Sequence, residues 1–585
     1  MMPWRVSFTG VVISSHSPMV CFVLHTHLPY VLHHGAWPHG SDWLCEAVAE
    51  CYMPLINMCD RLADDGIRAG LTLDISPILC EQLAHQDFPA LFERYCAEHA
   101  DLAKADAALF AEQGAEPERI AVATFWQQWY EECAETFREV YDRDIVGQFR
   151  RLQDAGIIEI MTCGATHGYF PLLAEDESIY RQVEIAVRAH ERHFGRHPRG
   201  IWLPECAYRP GYPWRTFLPV FAYSQLQHRE SIESILQRHS LQYFVSDEGA
   251  LSASRPLGFV DERGNRTPTE QTVGTVRQRL EHLSAMDVYR VGSAVADATV
   301  SVFTRHTQTA LQVWSGSSGY PGDADYLDFH KKFSNSALRY WRVTDNKADM
   351  AYKQPYVREW AVHRAREHGR HYAALIEQTL HNRRSQTDAP VVLTLPFDTE
   401  LFGHWWFEGP LFLEEVLRCI HASPLAHCTT LGECHDVVHP DCVIALPESS
   451  WGKDGDHSVW MNEQTQWTWE REYQLEYRLR ALFEKHPQYR WTPQMRNVAR
   501  TIIRQILLAQ ASDWQFLIST FSAKDYAEMR FHNHVEDAKR CCDIFERLAV
   551  TGLVTEDSTA YLRELDERDN IFEAEIDLYL ARHGS

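Results

Sequence analysis

Short, mostly apolar strands separated by long helix-patterned segments constrain this chain more than any other feature. The strand candidates are VCFVLH (20–25), LTLDIS (71–76), IIEIMT (157–162), GIWLP (200–204), LQYFVSD (241–247) and VVLTLP (391–396). Segments of helical period, such as 44–65, 117–155 and 176–195, lie between them. Strands that are apolar on both faces must be covered on both faces, and the crossover helices of a parallel α/β sheet provide that cover. Polar residues gather where the strands end: His25 and His27, the stretch from Glu159 to His167, Glu205, and Asp398. This is the pattern of an α/β barrel with its site on the C-terminal rim. An open doubly wound sheet is the alternative, but no glycine-rich phosphate loop supports it.

The barrel pattern spans 19–445. Within it, 85–140 is helical, charged and aromatic and reads as an insertion, and 253–290 is polar without clear period, as in a long functional lid. From 446 to 585 the pattern becomes helical almost throughout, which marks a C-terminal helical domain. Residues 1–18 read as an extension outside the fold; VSFTGVVI is too short and too polar for a signal sequence. No apolar run of ~18 residues is present, so no transmembrane helix is expected. The net charge of −25 disfavours nucleic acid and anionic membrane as partners and is compatible with a neutral ligand such as a sugar. Fifteen cysteines, an odd number with no CxxC pair, point to a reduced protein of the cytoplasm.

Five stretches could carry chemistry. In HTHLP (25–29), His25 and His27 share one face of a strand and could hydrogen-bond a ligand, bind a metal with further ligands such as His167, or simply be structural. In GIWLPECAYRPGY (200–212), Glu205 follows a strand that Pro204 must end. In VVLTLPFDTELFGHWWFEGP (391–410), Asp398 is the first acid after a strand; Glu400 and Glu408 read as structural. Carboxylates from two different strand ends are the minimum equipment for cleaving a glycosidic bond. EIMTCGATHGYFPLL (159–173) presents Thr166, His167 and Tyr169 on a glycine-bracketed loop. PESSWGKDGDHSVWMNEQTQWTWE (447–470) is dense in indoles, some for a ligand groove and some for packing.

These stretches, with VWSGSSGYPGD (313–323) and ASDWQFLI (511–518), resemble glycoside hydrolase family 57, and most of all its 1,4-α-glucan branching subgroup, from about residue 20 to about 545. The resemblance implies a distorted (β/α)7 barrel with an inserted helical subdomain and a C-terminal helical domain, acting on α-1,4-glucan without metal or other cofactor. It implies Glu205 as nucleophile and Asp398 as general acid/base. It implies His25, His27 and His167 as donor-pocket residues, Arg305 and Asp513 as substrate contacts, and Trp314 and Gly322 on a neighbouring loop. Trp451 and Trp460 would line the groove, and His404, Trp405 and Trp406 would wall the pocket. One departure is the segment 253–290, longer and more polar than the family's mobile loop, with Tyr289 as its only tyrosine.

The same carboxylates would also serve a 4-α-glucanotransferase or an α-1,4-glucan hydrolase. A metal-dependent polysaccharide deacetylase built on His25 and His27 is a more distant alternative, and a non-catalytic glucan-binding protein is disfavoured by the two acids.

Overall fold

The computed structural model describes residues 17–582, apart from 37, 262–264, 273, 295–298, 317, 346 and 348. Most of the expected extension 1–18 lies outside the described residues.

Seven strands form the barrel: β1 (Met19–Thr26), β2 (Leu71–Ile75), β3 (Ile158–Met161), β4 (Gly200–Ile201), β5 (Tyr243–Ser246), β6 (Val300–Thr304) and β7 (Val392–Asp398). They belong to two sheets. One runs β7-β1-β2-β3, the other starts β4-β5-β6, and all these pairings are parallel. Single parallel bridges, Thr162 to Ile201 and Arg305 to Thr394, close the two sheets into a ring. Closure by isolated bridges is what distorts the barrel. Strands β1, β2 and β6 are buried along their whole length, as strands covered on both sides must be. The six strands expected from apolar runs all form. The seventh, β6, is not among them, because VSVFT mixes polar with apolar residues and gives too short a run.

Strand β4 is two residues long. Pro204 stops it, and Gly200 is required where it starts, because a Cβ there would stand 2.1 Å from the Tyr243 ring. Register aligns the strand ends: His25 on β1 lies beside Asp398 on β7 and Asp74 on β2. Registered neighbours of a parallel sheet point to the same face, so these three polar residues share one rim.

The segment 253–290 departs from the lid expectation. Arg255–Val260 and Arg266–Pro268 are antiparallel strands, Gly274–Glu281 is a helix, and Tyr289–Val291 pairs with β6. The segment extends the second sheet through Cys442–Ala445. Its polarity follows from its edge position, and Tyr289 is buried against Ser284 and Asp287.

Residues 88–135 hold two long helices, α1 (Phe88–Glu112) and α2 (Pro117–Glu135), packed together. After Cys442–Ala445 the chain is helical: α3 (Gln466–Lys485), α4 (Pro493–Ala509), α5 (Asp513–Ser519), α6 (Lys524–Thr551), α7 (Glu556–Arg568) and α8 (Glu573–Arg582). Ile502, Ile503 and Ile506 of α4 share one core with Phe531 of α6 and with Tyr30 and Leu32 of the loop after β1. Barrel and helices therefore meet through hydrophobic burial, and the α4–α5 turn is seated on the rim. Among the described residues, no helix is long and apolar enough to cross a membrane.

Candidate active site

Glu205 sits just beyond β4 with φ +63°, and Cys206 follows at φ +49°. Left-handed backbone at two successive non-glycine residues costs about 1–3 kcal/mol each and persists only where the surroundings impose it. Here the indole loop imposes it: Trp451 N–H donates to the Glu205 carbonyl at 3.0 Å, and Tyr208 pairs with Ser449. The turn aims the carboxylate at two donors, Trp451 Nε1–H (2.9 Å to Oε2) and Ser512 Oγ–H (3.0 Å to Oε1). Burial pushes Glu205 up to about 7, against the two hydrogen bonds, which favour the ionised form.

His167 also has left-handed backbone, φ +61°, and is pinned by the helical region: its carbonyl accepts from Ser512 N–H at 3.0 Å. Its ring stacks on His27 at 4.0 Å, and His25 stacks on Trp202 at 4.8 Å. His27, His167 and Asp513 bring donor atoms within 4.8 Å of one another, the nearest that the described residues of this rim come to a cation cage. Every imidazole nitrogen there already faces a protein partner. His27 meets Ser76 and Asp513, while His167 meets Ser512 and His25. The cluster is a hydrogen-bonded stack of rings whose nitrogens are engaged within the protein.

Asp398 ends β7. Burial pushes its carboxyl well above the ordinary range, Glu400 and Glu205 add to this, and Arg305 opposes it. Arg305 is paired with Asp247 and lies over the Trp451 ring. Trp451 in turn packs edge-on against Trp202 (4.9 Å) and Trp314 (6.0 Å). Glu400 accepts a hydrogen bond from Tyr52 (2.6 Å), and Glu408 one from Tyr356 (2.6 Å).

The site thus draws together Glu205, Asp398, His25, His27, His167, Arg305, Trp314, Trp451 and Asp513. Other expected residues sit differently. Trp460 is fully buried, stacked on Tyr169 at 4.5 Å, and underlies Gly452; it props up the loop bearing Trp451 and is no part of a groove surface. His404 is buried beside Glu46 and Phe329, and Trp406 packs on Tyr326 and Phe412, while Trp405 is exposed. Gly322 ends a short turn that packs through Tyr320 on His368 and Phe412. Two residues escape the sequence reading. Asp74 is an acid inside the buried strand LTLDI, an anomaly that is visible in the sequence. Ser512 precedes Asp513 and carries no such signal.

Two family models match the chain: one described as Glycosyl hydrolase family 57 over residues 21–447, and one described as 1,4-alpha-glucan branching enzyme, C-terminal, over 472–580. A 1,4-alpha-glucan branching enzyme of Thermococcus kodakarensis is 37% identical over 558 residues, covering 94% of this chain and 77% of that protein. The crystal structure of a GH57-type branching enzyme from Pyrococcus horikoshii superposes with a TM-score of 0.84 at 34% identity, covering 96% of each chain. An alpha-amylase from Thermotoga maritima superposes with a TM-score of 0.77 at 26% identity, covering 96% of this chain and 99% of that one.

Proposed function

This chain belongs to glycosyl hydrolase family 57, and from that premise we propose that it is a 1,4-α-glucan branching enzyme: it cleaves an α-1,4 bond and re-forms the chain as an α-1,6 branch. One observation carries the reading. The region that matches the branching-enzyme C-terminal family supplies Ser512 to the Glu205 carboxylate and Asp513 to His27. The part of the chain that marks a branching enzyme is therefore built into the site itself.

Glu205 attacks the anomeric carbon while Asp398 protonates the leaving oxygen, and a covalent glycosyl-enzyme forms. Asp398 needs a proton at this stage. Burial and the negative charges of Glu400 and Glu205 help it hold one. Once Glu205 is an ester its charge is gone, the proton affinity of Asp398 falls, and Asp398 becomes the base that deprotonates the 6-hydroxyl of an acceptor glucose. Transfer must beat ~55 M water, which a pre-positioned acceptor can do because effective molarities reach about 10⁵–10⁸ M. The stacked rings of His25, His27 and His167 wall the donor-sugar pocket, Arg305 and Asp513 contact the sugar, and Trp314 and Trp451 form the apolar floor. The barrel (19–445) supplies the acids and the helical region (446–585) closes over them. All fifteen cysteines are free thiols, which supports a cytoplasmic role in building glycogen-like glucan.

Incubation with amylose tests the reading. New α-1,6 linkages, seen by NMR and by isoamylase debranching, are expected. Free reducing ends without new branches would make the protein a hydrolase on the same scaffold.

A further inference from the structure

Five side chains form one line of hydrogen bonds through the rim. Asp74 Oδ2 lies 2.5 Å from His25 Nδ1, and His25 Nε2 lies 3.1 Å from His167 Nε2. His167 Nδ1 lies 2.9 Å from Ser512 Oγ, which is 3.0 Å from Glu205 Oε1. Asp74 and Ser512 are 0% exposed, and the other oxygen of Asp74 has no hydrogen-bond partner. We propose that this line is a proton-ordered relay in which Asp74 and Ser512 are positioning residues that keep Glu205 ionised for attack. The inference rests on the reading of Glu205 as the nucleophile.

The order follows from counting hydrogens. An ionised carboxylate only accepts. Ser512 must therefore donate to Glu205, and its oxygen accepts from His167 Nδ1–H. A neutral His167 then has a bare Nε2, which accepts from His25 Nε2–H. His25 presents a bare Nδ1 to Asp74, so Asp74 must supply the last hydrogen. With Glu205 ionised and both rings neutral, every link admits one direction, and the line ends on a protonated Asp74.

The reverse order moves four protons one place each. Asp74 gives its proton to His25 Nδ1, His25 Nε2 gives one to His167 Nε2, His167 Nδ1 gives one to Ser512, and Ser512 gives one to Glu205. No proton enters or leaves; the charge has moved from Glu205 to Asp74. The two carboxyls share one proton and one negative charge. Glu205 is fitted to carry the charge, with two donors aimed at its two oxygens. Asp74 has a single partner and no water-facing surface. Burial, with Glu400 nearby, pushes its carboxyl well above the ordinary range, and burial keeps both histidines neutral. Hydrogen bonds arranged in one direction polarise each other, so the Ser512 donor is stronger than an isolated hydroxyl.

Other titratable groups face the two ends. Around Asp74 are Glu400 and the thiols of Cys80 and Cys163. Around Glu205 are Asp513, His27, Asp398, Tyr169 and the thiols of Cys163 and Cys206.

Long-range 1H–15N spectra of the full-length protein labelled at histidine read the tautomers directly, with His25 and His167 assigned from His25→Gln and His167→Gln. At about pH 8, where the nucleophile is ionised, His25 is expected as Nε2–H and His167 as Nδ1–H. In Glu205→Gln, Trp451 holds the amide oxygen and the amide hydrogens turn to Ser512, so both tautomers are expected to reverse. The same tautomers in both proteins, or a doubly protonated ring in the wild type, would overturn the relay. Turnover by Glu205→Gln, measured on the same sample, would instead remove the nucleophile reading. A kinetic arm compares Ser512→Ala with Ser512→Thr. Loss of a donor to the charged form raises the proton affinity of Glu205, so the acid limb of kcat/KM moves up by about one pH unit in Ala and returns in Thr. An unmoved limb alongside a uniformly lower kcat would make Ser512 merely structural.

Discussion

Glu205, its side chain 14% exposed, and the fully buried Asp569 are both carboxylates set where the helical region meets a strand-end loop, yet their proton affinities move in opposite directions. Burial alone would raise both. Asp569 overcomes it: His34 donates at 2.7 Å, Arg568 and Gln505 each donate at 2.7 Å, and the carboxyl is held well below its usual range. Glu205 receives two hydrogen bonds from neutral groups, meets no bidentate cation, and rises to about 7. The helical region thus uses one acid as an anchor, tying the loop after β1 to α7, and leaves the other unneutralised for chemistry. What distinguishes an anchor from a reactive group here is the charge of the partners, since desolvation pushes both carboxyls up.

The largest expected effect falls on turnover. Glu205→Gln and Asp398→Asn should each lower kcat on amylose by at least about 10³-fold while the circular-dichroism spectrum stays native, because each removes a group needed only in the transition state. Activity within about tenfold of wild type in either would remove that acid from the mechanism.

Asp569→Asn should act the other way round. Removing one partner of a buried ion network leaves His34 and Arg568 poorly matched and costs about 3–5 kcal/mol, read as a large fall in Tm with turnover per folded molecule preserved. Loss of turnover without loss of Tm would show that Asp569 is no mere anchor. The pH dependence has a definite sign. The lowered proton affinity of Asp569 gives stability that is present above the usual carboxylate range and lost as pH falls through its folded value.

The same isosteric change at Glu205 should stabilise. A proton affinity raised from 4.5 to about 7 makes the ionised native state strained, so wild-type stability declines as pH rises through that window. Glu205→Gln should gain on the order of 1–3 kcal/mol at about pH 8 and nothing at about pH 4. A Tm that is equal to wild type at both pH values would contradict the contrast drawn with Asp569. Smallest is Trp451→Phe, which deletes the indole N–H donated to Glu205. The acid limb of kcat/KM should move up by about half to one pH unit, and an unchanged limb would mean that this hydrogen bond does not bear on the charge.

Much of the barrel, and the placing of Glu205 and Asp398 at its rim, is legible in the sequence, because packing demands apolar strands and each acid stands just where one of them ends. Asp74 was conspicuous as an acid within a strand otherwise fit for a core, but its partner His25 comes from the neighbouring strand, and strand order is not written in either segment. Ser512 was silent, since one hydroxyl looks like another until the α4–α5 turn is folded onto a rim residue 345 positions away in the chain. Among the indoles of 447–470, composition cannot separate Trp451, which faces Glu205, from Trp460, which lies beneath it. The strands of 253–290 are short and polar, and the strand that joins Arg255–Val260 and Tyr289–Val291 to one sheet, Cys442–Ala445, lies far along the chain.

The closure of the barrel bears on how the two acids are held apart. Glu205 follows a strand of one sheet and Asp398 ends a strand of the other, and among the described residues only single bridges join these strands' sheets. The spacing of the pair is therefore not stiffened by a continuous backbone ladder. Each sheet is held by its own ladder of parallel pairings. The turn from α4 to α5 and the Trp451 loop act as the clasp across them. The position of Glu205 relative to Asp398 therefore depends on the α4–α5 turn, which reaches Glu205 and His27, and on Trp451, which reaches Glu205 and His25, as well as on the barrel.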